Sequence, residues 1–274
     1  MDKKKYSLTF ACYNSVEYTK LCINSMLANG TPLDRLVVVD NGSSDDTRNY
    51  LETLPLGARI FNNQNLGCGV AWNQGALALQ SEWTIVMNND VVVSHNWIEN
   101  LINTAESNNL KIISPALIEG ELDYDFSSFE KDAHKKMKST HRIGARHAVC
   151  LAIHQSVWMD IGYFQPTPKL LGYEDTLFFH EAHKANLRMA MTGACWLHHY
   201  GSITQTAMKL ERGLKENQNL PYRYNYRLLN QSWFERKITK LKRKHQERIW
   251  RDDEINKFGI SMHGIRESNE FKWL

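Results

Sequence analysis

Ser81-Glu82-Trp83-Thr84-Ile85-Val86-Met87-Asn88-Asn89-Asp90-Val91-Val92-Val93-Ser94-His95 is the stretch that decides the reading of this chain. The apolar run 83–87 stops abruptly at Asn88-Asn89-Asp90, and a second apolar run, 91–93, begins at once. A desolvated carboxylate or amide costs free energy unless it finds a partner, so a polar triplet between two buried strands does little for folding. Its natural place is the carboxyl edge of a parallel sheet, where α/β proteins hold their ligands. An acid fixed there can hold a divalent cation against a diphosphate, because hard cations prefer oxygen ligands. Were the triplet isolated, a self-satisfied polar turn would be the simpler explanation.

The surrounding pattern supplies the sheet. Residues 7–12, 36–39, 58–62 and 83–87 read as strands, and 15–29, 47–54 and 69–80 as helices between them, an alternation that marks a parallel sheet with crossover helices. The β-branched run 36–39 fits a strand buried on both faces. Farther on, 95–107 reads as a helix, 111–118 as a strand broken by Pro115, 148–153 and 189–198 as strands, and 156–161 and 175–186 as helices. The polar, charged stretch 119–140 is predicted to be a mobile loop.

Composition narrows the class. With 42% hydrophobic and 23% charged residues over 274 positions, the chain has an ordinary globular balance, and a net charge of +3 gives no ground for nucleic-acid binding. Cys12, Cys22, Cys68, Cys150 and Cys195 form no C-x-x-C pair, so neither a zinc site nor a disulfide framework is indicated and a cytoplasmic location is expected. The basic start 1–5 precedes a short, interrupted apolar stretch that reads as a strand rather than a signal peptide. No run approaches the ~20 apolar residues of a membrane span.

Four further segments carry chemistry. Asp40-Asn41-Gly42-Ser43-Ser44-Asp45-Asp46-Thr47 sets a carboxylate at a strand end before a turn whose amides can face a polar ligand. A capped strand–helix turn explains the glycine and serines but not Asp40, which wants a donor. Asn65-Leu66-Gly67-Cys68-Gly69-Val70-Ala71-Trp72-Asn73-Gln74-Gly75 runs into a helix with neither G-x-G-x-x-G spacing nor a Lys-Ser/Thr, which argues against dinucleotide and P-loop chemistry. Glu174-Asp175 opens a helix, as caps or as a general base for a hydroxyl. His198-His199-Tyr200-Gly201-Ser202 ends a strand, where an imidazole could complete a metal site begun by Asp90.

Taken in order, these segments resemble family 2 glycosyltransferases with the nucleotide-sugar-binding GT-A fold, an α/β architecture with a mostly parallel sheet. The resemblance runs over about residues 7–206. It implies that Tyr13, Asn14, Glu17 and Asp40 bind the nucleoside, with Asn65, Gly67 and Asn73 lining the donor site. Asn88 and Asn89 would serve the ribose and diphosphate, and Asp90 would hold Mn²⁺ or Mg²⁺ with His199, or else His198, as a further ligand. Asp175 would be the general base and Glu174 an acceptor-positioning group. Asn88 stands where relatives carry the first acid of a D-x-D motif, so metal binding would lean on Asp90 and a histidine, with the nucleotide diphosphate completing the site. Leu177 stands where many relatives carry another acid.

The implied activity is inverting transfer from a UDP- or dTDP-sugar to a hydroxyl of a glycan or lipid-linked saccharide, of the kind used in bacterial surface polysaccharide synthesis. Two other readings remain open: a non-catalytic glycan- or nucleotide-binding module, and a nucleotidyltransferase. The latter normally needs a Gly-rich basic loop after the first strand, where this chain has Ala11-Cys12-Tyr13-Asn14. Residues 207–274 are predicted to form a helical, basic extension. Between Gln231 and Arg251, eight Lys/Arg face Glu235 and Glu247, with Phe234, Ile238, Leu241, His245 and Ile249 at helical spacing. Such a helix either packs on the domain or lies peripherally on an anionic membrane, here the inner face of the plasma membrane.

Overall fold

A run such as Leu36-Val37-Val38-Val39 is stable as a strand only if both its faces are covered, and it is buried along its whole length. It forms β2 (Leu36–Asp40), beside β1 (Tyr6–Cys12) on one edge and β3 (Ala58–Phe61) on the other. The crossovers are α1 (Val16–Ala28), α2 (Thr47–Glu52) and α3 (Cys68–Ala78), and β4 (Trp83–Asn88) follows. These four strands are parallel, in the order β4-β1-β2-β3. Their register pairs Cys12 with Asp40 and Ala11 with Asn88, so three strands end together at one edge. The computed structural model describes residues 5–166, 174–201, 229 and 231–274.

The second half widens this sheet. After β5 (Val91–Val93) and α4 (Trp97–Ser107) come β6 (Ile112–Gly120), α5 (Phe126–Met137), β7 (His141–Ile143), β8 (Cys150–His154), α6 (Gln155–Ile161), α7 (Glu174–Lys184) and β9 (Met189–His199). β8 pairs antiparallel with β4 and with the start of β6. β9 runs parallel to β6 and takes β5 and β7 as antiparallel partners. Pro115 does not break the strand as expected: β6 continues past it with a register shift between Pro115 and Ala116, the bulge a residue without an N–H allows.

Two further expectations need correction. The stretch 119–140 is no irregular loop, because α5 fills its centre. Asp125 caps that helix by accepting from the Ser128 amide at 3.0 Å, and Phe126, Glu130, Ala133 and Met137 form its buried stripe. Charges on the outer face hid this periodicity. The carboxyl-terminal region, expected to be helical, carries two strands beyond α8 (Trp233–Phe258). β10 (His263–Glu267) and β11 (Glu270–Trp273) form a hairpin whose two-residue loop, Ser268-Asn269, has both φ positive, the geometry that suits a tight hairpin. β10 pairs parallel with β6, so the tail is part of the sheet. The expected boundary near residue 206 lies outside the described residues.

The core follows from strand alternation. Leu8, Phe10, Ile85 and Met87 pack with Ile23, Met26, Trp97 and Leu101 of α1 and α4 on one face; Val86, Leu151 and Ile153 pack with Trp72, Phe164 and Phe178 on the other. Each such side chain contributes roughly 1.5–3 kcal/mol when fully buried. Among the described residues, no helix is long and apolar enough to cross a membrane.

One ion pair ties α8 to the sheet. Arg142 on β7 and Glu254 on α8 are 3% and 4% exposed and share two hydrogen bonds of 2.8 Å. Arg142 also donates to Ser261 Oγ at 2.6 Å, and Glu254 accepts from the Met262 amide at 2.8 Å. Removing one partner strands the other's charge, a loss of roughly 3–5 kcal/mol for buried pairs. Glu254→Ala is therefore expected to lower unfolding free energy in urea by about 3 kcal/mol or more. A loss within experimental error would show that the tail is anchored elsewhere.

Candidate active site

The common strand edge opens into a cleft of about 1750 Å³, reaching from the ends of β1 and β4 to α7 and α8. Tyr13, Asn65, Asn88, Asn89, Asp90 and His199 line one end, and Glu174 and Asp175 line its wall. Residues far apart in the chain therefore converge on the edge where the triplet was expected.

Asp90 meets His199 through the sheet. β5 pairs Val91 with His199, and the Tyr200 amide donates to the Asp90 carbonyl at 3.0 Å. The side chains meet with Asp90 Oδ1 3.1 Å from His199 Nε2, and Asn88 Nδ2 lies 3.2 Å from the same nitrogen. On the ring's other side, Nδ1 is 3.3 Å from Glu119 Oε1, and Glu119 Oε2 is 3.0 Å from His263 Nε2. Burial opposes the charged form of His199, but the hydrogen bonds to Asp90 and Glu119 outweigh it and raise its pKa to about 9. The same bonds from His199 and His263 hold the Glu119 carboxyl far below its usual range.

His198, the alternative ligand, points away. Consecutive strand residues face opposite sides, and both its ring nitrogens are engaged: Nε2 donates to the Gly120 carbonyl at 3.1 Å and Nδ1 accepts from the Tyr124 hydroxyl at 3.0 Å. Burial lowers its pKa to about 4, so it is a neutral structural histidine.

Two donors of one divalent ion at 2.0–2.1 Å stand about 3 Å apart when at right angles, so the spacing of Asp90 and His199 fits a shared cation. Among the described residues no group of three His, Cys, Asp or Glu could hold a metal alone. A cation there would need oxygens from a bound diphosphate and water, which suits Mg²⁺ or Mn²⁺.

Glu174 and Asp175 differ in their surroundings. Glu174 is buried and accepts from the Gly69 amide; burial raises its pKa. A Cβ on Gly69 would sit 2.8 Å from Glu174 Cγ, so glycine at the start of α3 is what lets the two approach. Asp175 is only partly covered and faces the cleft, accepting from its neighbour Thr176's amide at 2.7 Å. Desolvation raises its pKa too, against those hydrogen bonds and the pull of Arg146.

Other expected residues shape the site from behind. Asp40 is buried and holds the Ser43 amide at 2.9 Å, while its neighbour Asn41 lines the cleft. Asn41 binds Asn62, Asn65, Leu66 and Gly67, fixing the loop ahead of α3. Gly67 turns that loop at φ 91°. Asn14, at φ 54°, accepts from the Ser44 amide at 2.8 Å. Glu17 is exposed and paired with Lys20, and both amide atoms of Asn73 bond the Phe164 backbone. The side chains of Asn14, Glu17, Asp40 and Asn73 are thus each engaged with the protein itself. Asn89 lines the cleft, but its amide donates to Thr19 on α1 at 2.9 Å. Sequence reasoning missed Asn41, Glu119 and His263. Asn41 lay in a quoted segment beside the more conspicuous Asp40; the other two sit in stretches assigned to loop and helix.

The family model described as "Glycosyl transferase family 2" matches residues 7–159. An uncharacterized glycosyltransferase of Rickettsia conorii, RC0461, is 33% identical over 98 residues, 35% of this chain and 16% of that protein. The putative glycosyltransferase EpsH of Bacillus subtilis is 23% identical over 108 residues, 38% of this chain and 31% of EpsH. The chain thus matches well under half the length of these relatives. Among solved structures, GalNAc-T7 with UDP, GalNAc and Mn²⁺ superposes with a TM-score of 0.55 at 14% identity, covering 71% of this chain and 43% of that one. S. aureus TarS 1–349 gives 0.52 at 18% identity, covering 82% and 69%. At such identities these two structures speak for the fold alone, and that fold is the expected GT-A architecture, here a helix-flanked mixed sheet. With over half its length matched by the family model, and the strand edge bearing Asn88-Asn89-Asp90 inside that match, the chain belongs to glycosyl transferase family 2.

Proposed function

We propose that this chain is an inverting glycosyltransferase moving a sugar from a nucleoside-diphosphate donor, UDP- or dTDP-linked, to a hydroxyl of a glycan or lipid-linked saccharide. The observation that carries the reading is the opening of the Asp90–His199 pair and of Asp175 onto one cleft. Asp175 takes the acceptor hydroxyl's proton as that oxygen attacks the anomeric carbon. Glu174, buried against α3, sets the start of α7 and so the direction of Asp175. Asp90 and His199 would hold Mn²⁺ or Mg²⁺, which when bound would offset the charge of the departing diphosphate. The loop fixed by Asn41 borders the nucleoside end.

The charge distribution supports a membrane-linked acceptor. Trp233 and Phe234, at the start of α8, are 56% and 70% exposed, and Ile238, Leu241 and Ile249 continue an exposed apolar stripe. Lys242 and Arg243 on the same helix line the cleft. An amphipathic basic helix of this kind suits an anionic surface at the inner face of the plasma membrane, where a lipid-linked saccharide would be presented.

Four outcomes test this reading. Asp175→Asn keeps the shape but cannot accept a proton, so nucleoside diphosphate release from the active donor should fall at least ~100-fold with donor affinity little changed. Because burial raises the folded pKa of Asp175 and the base must be ionised, the acidic limb of kcat/KM should lie above the ordinary carboxylate range, with activity rising with pH. A limb at the ordinary value would remove Asp175 from that role.

Asp90→Ala should abolish both Mn²⁺-dependent UDP or dTDP binding and turnover, and full wild-type activity in excess chelator would overturn the metal assignment. For the membrane, substitution is the informative test, since truncation would also remove β10. Reversing Lys237, Lys240 and Lys244 to Glu should release the protein from anionic vesicles, each basic residue contributing about 1 kcal/mol near such a surface. Equal sedimentation of wild type with neutral and anionic vesicles would leave α8 as a packing helix.

A further inference from the structure

Resting on the metal-dependent reading above, we infer that Glu119 and His263 are positioning residues that set His199 for metal binding, so that the carboxyl-terminal strand β10 completes the donor site. The sheet register makes the arrangement. β6 and β9 pair Glu119 with His199, β5 and β9 pair Val91 with His199, and β10 lies on the opposite edge of β6 from β9. Asp90, His199, Glu119 and His263 therefore follow one another across the sheet, at 3.1, 3.3 and 3.0 Å.

A carboxylate can only accept, so Glu119 keeps the proton of the His199 ring on Nδ1 when the ring is neutral. That leaves the Nε2 lone pair aimed at Asp90, the tautomer a metal ligand must adopt. Without Glu119 the ring could rotate or place its proton on Nε2. Glu119 in turn has rotamer freedom of its own, and His263 removes it by donating to Oε2. His263 is held because β10 is hydrogen-bonded into the sheet and because Glu254 and Arg142 fix the turn before it. Neither Glu119 nor His263 lies near Asp90 in sequence, and His263 lies outside the family match, which ends at residue 159.

The test uses the full chain with Mn²⁺ and UDP or dTDP, whichever binds. Mn²⁺ affinity is read by electron paramagnetic resonance of the free ion, without turnover. Glu119→Gln should weaken Mn²⁺ binding in the nucleotide complex by roughly 10–100-fold, the usual effect of losing a carboxylate behind a metal-bound histidine. His263→Leu should weaken it in the same direction, and His263→Gln, which keeps a donor amide, should recover much of the loss. Metal-free nucleotide binding and thermal midpoint, measured in parallel, should stay near wild type for Glu119→Gln. Wild-type Mn²⁺ affinity in Glu119→Gln, or equal loss in His263→Leu and His263→Gln, would overturn the inference alone. Absence of any Mn²⁺-nucleotide binding by the wild type would overturn the reading beneath it as well.

Discussion

The parallel pairing of β1 with β2 and β4 is the constraint on which the rest of the structure depends. Its register ends three strands together, at Cys12, Asp40 and Asn88, and the cleft lined by Asn88, Asp90 and His199 opens at that edge. A one-residue slip would exchange the two faces of a strand, moving Leu8 and Phe10 from the core they share with α1 and α4. Core packing and site assembly are thus one requirement: the side chains that fix the register also fix where Asn88-Asn89-Asp90 leaves the sheet. The close seat of α3 belongs to the same constraint. A Cβ at Gly75 would fall 1.8 Å from Thr9 Oγ1, so the helix can lie on β1 only with glycine there.

The edge gathers groups that repel or desolvate one another unless paired. Asp90, Glu119, His199 and His263 form an alternating series of acceptors and donors, and each buried charge has an opposite neighbour. The cost of burying Asp90 and His199 is offset by this alternation. Glu174 and Asp175 are treated differently. Desolvation outweighs the pull of Arg146 on Asp175, and both carboxyls are pushed toward the protonated form. One cleft therefore keeps paired charge at one end and raises the basicity of the carboxyls on its wall.

Much of this was legible in the amino-acid sequence, and the reasons are local. Apolar runs of four to six residues ending in Asp or Asn, with glycine turns between them, mark parallel strands and their carboxyl ends without knowledge of partners. What remained hidden depended on non-local pairing. Glu119 looked like the start of a polar loop because its value lies in facing His199, 80 residues away in the chain. Helix α5 was concealed by its charged outer face, although residues 126, 130, 133 and 137 keep helical spacing. The β10–β11 hairpin was overlooked because its alternation is short and follows a long basic helix. Asn73, expected to line the donor site, bonds the Phe164 backbone with both amide atoms, a partner 91 residues away that no local pattern announces.

The tail shows how a peripheral segment acquires a role at the centre. A helix like α8, with an exposed apolar stripe and many basic residues, gains little from its own propensity in isolation. Its capping box at Ser232 and Glu235 and its stop at Gly259, φ 74°, define its ends. The Arg142–Glu254 pair then fixes its last turns against β7, and Met262 enters the cluster around Ala116, Ile118 and Trp196. Once Met262 is seated, β10 must begin beside Leu117, and parallel pairing carries His263 to the Glu119 carboxylate. Helix docking, strand addition and the contact of His263 with the Glu119 carboxylate beside His199 are therefore successive consequences of one buried anchor.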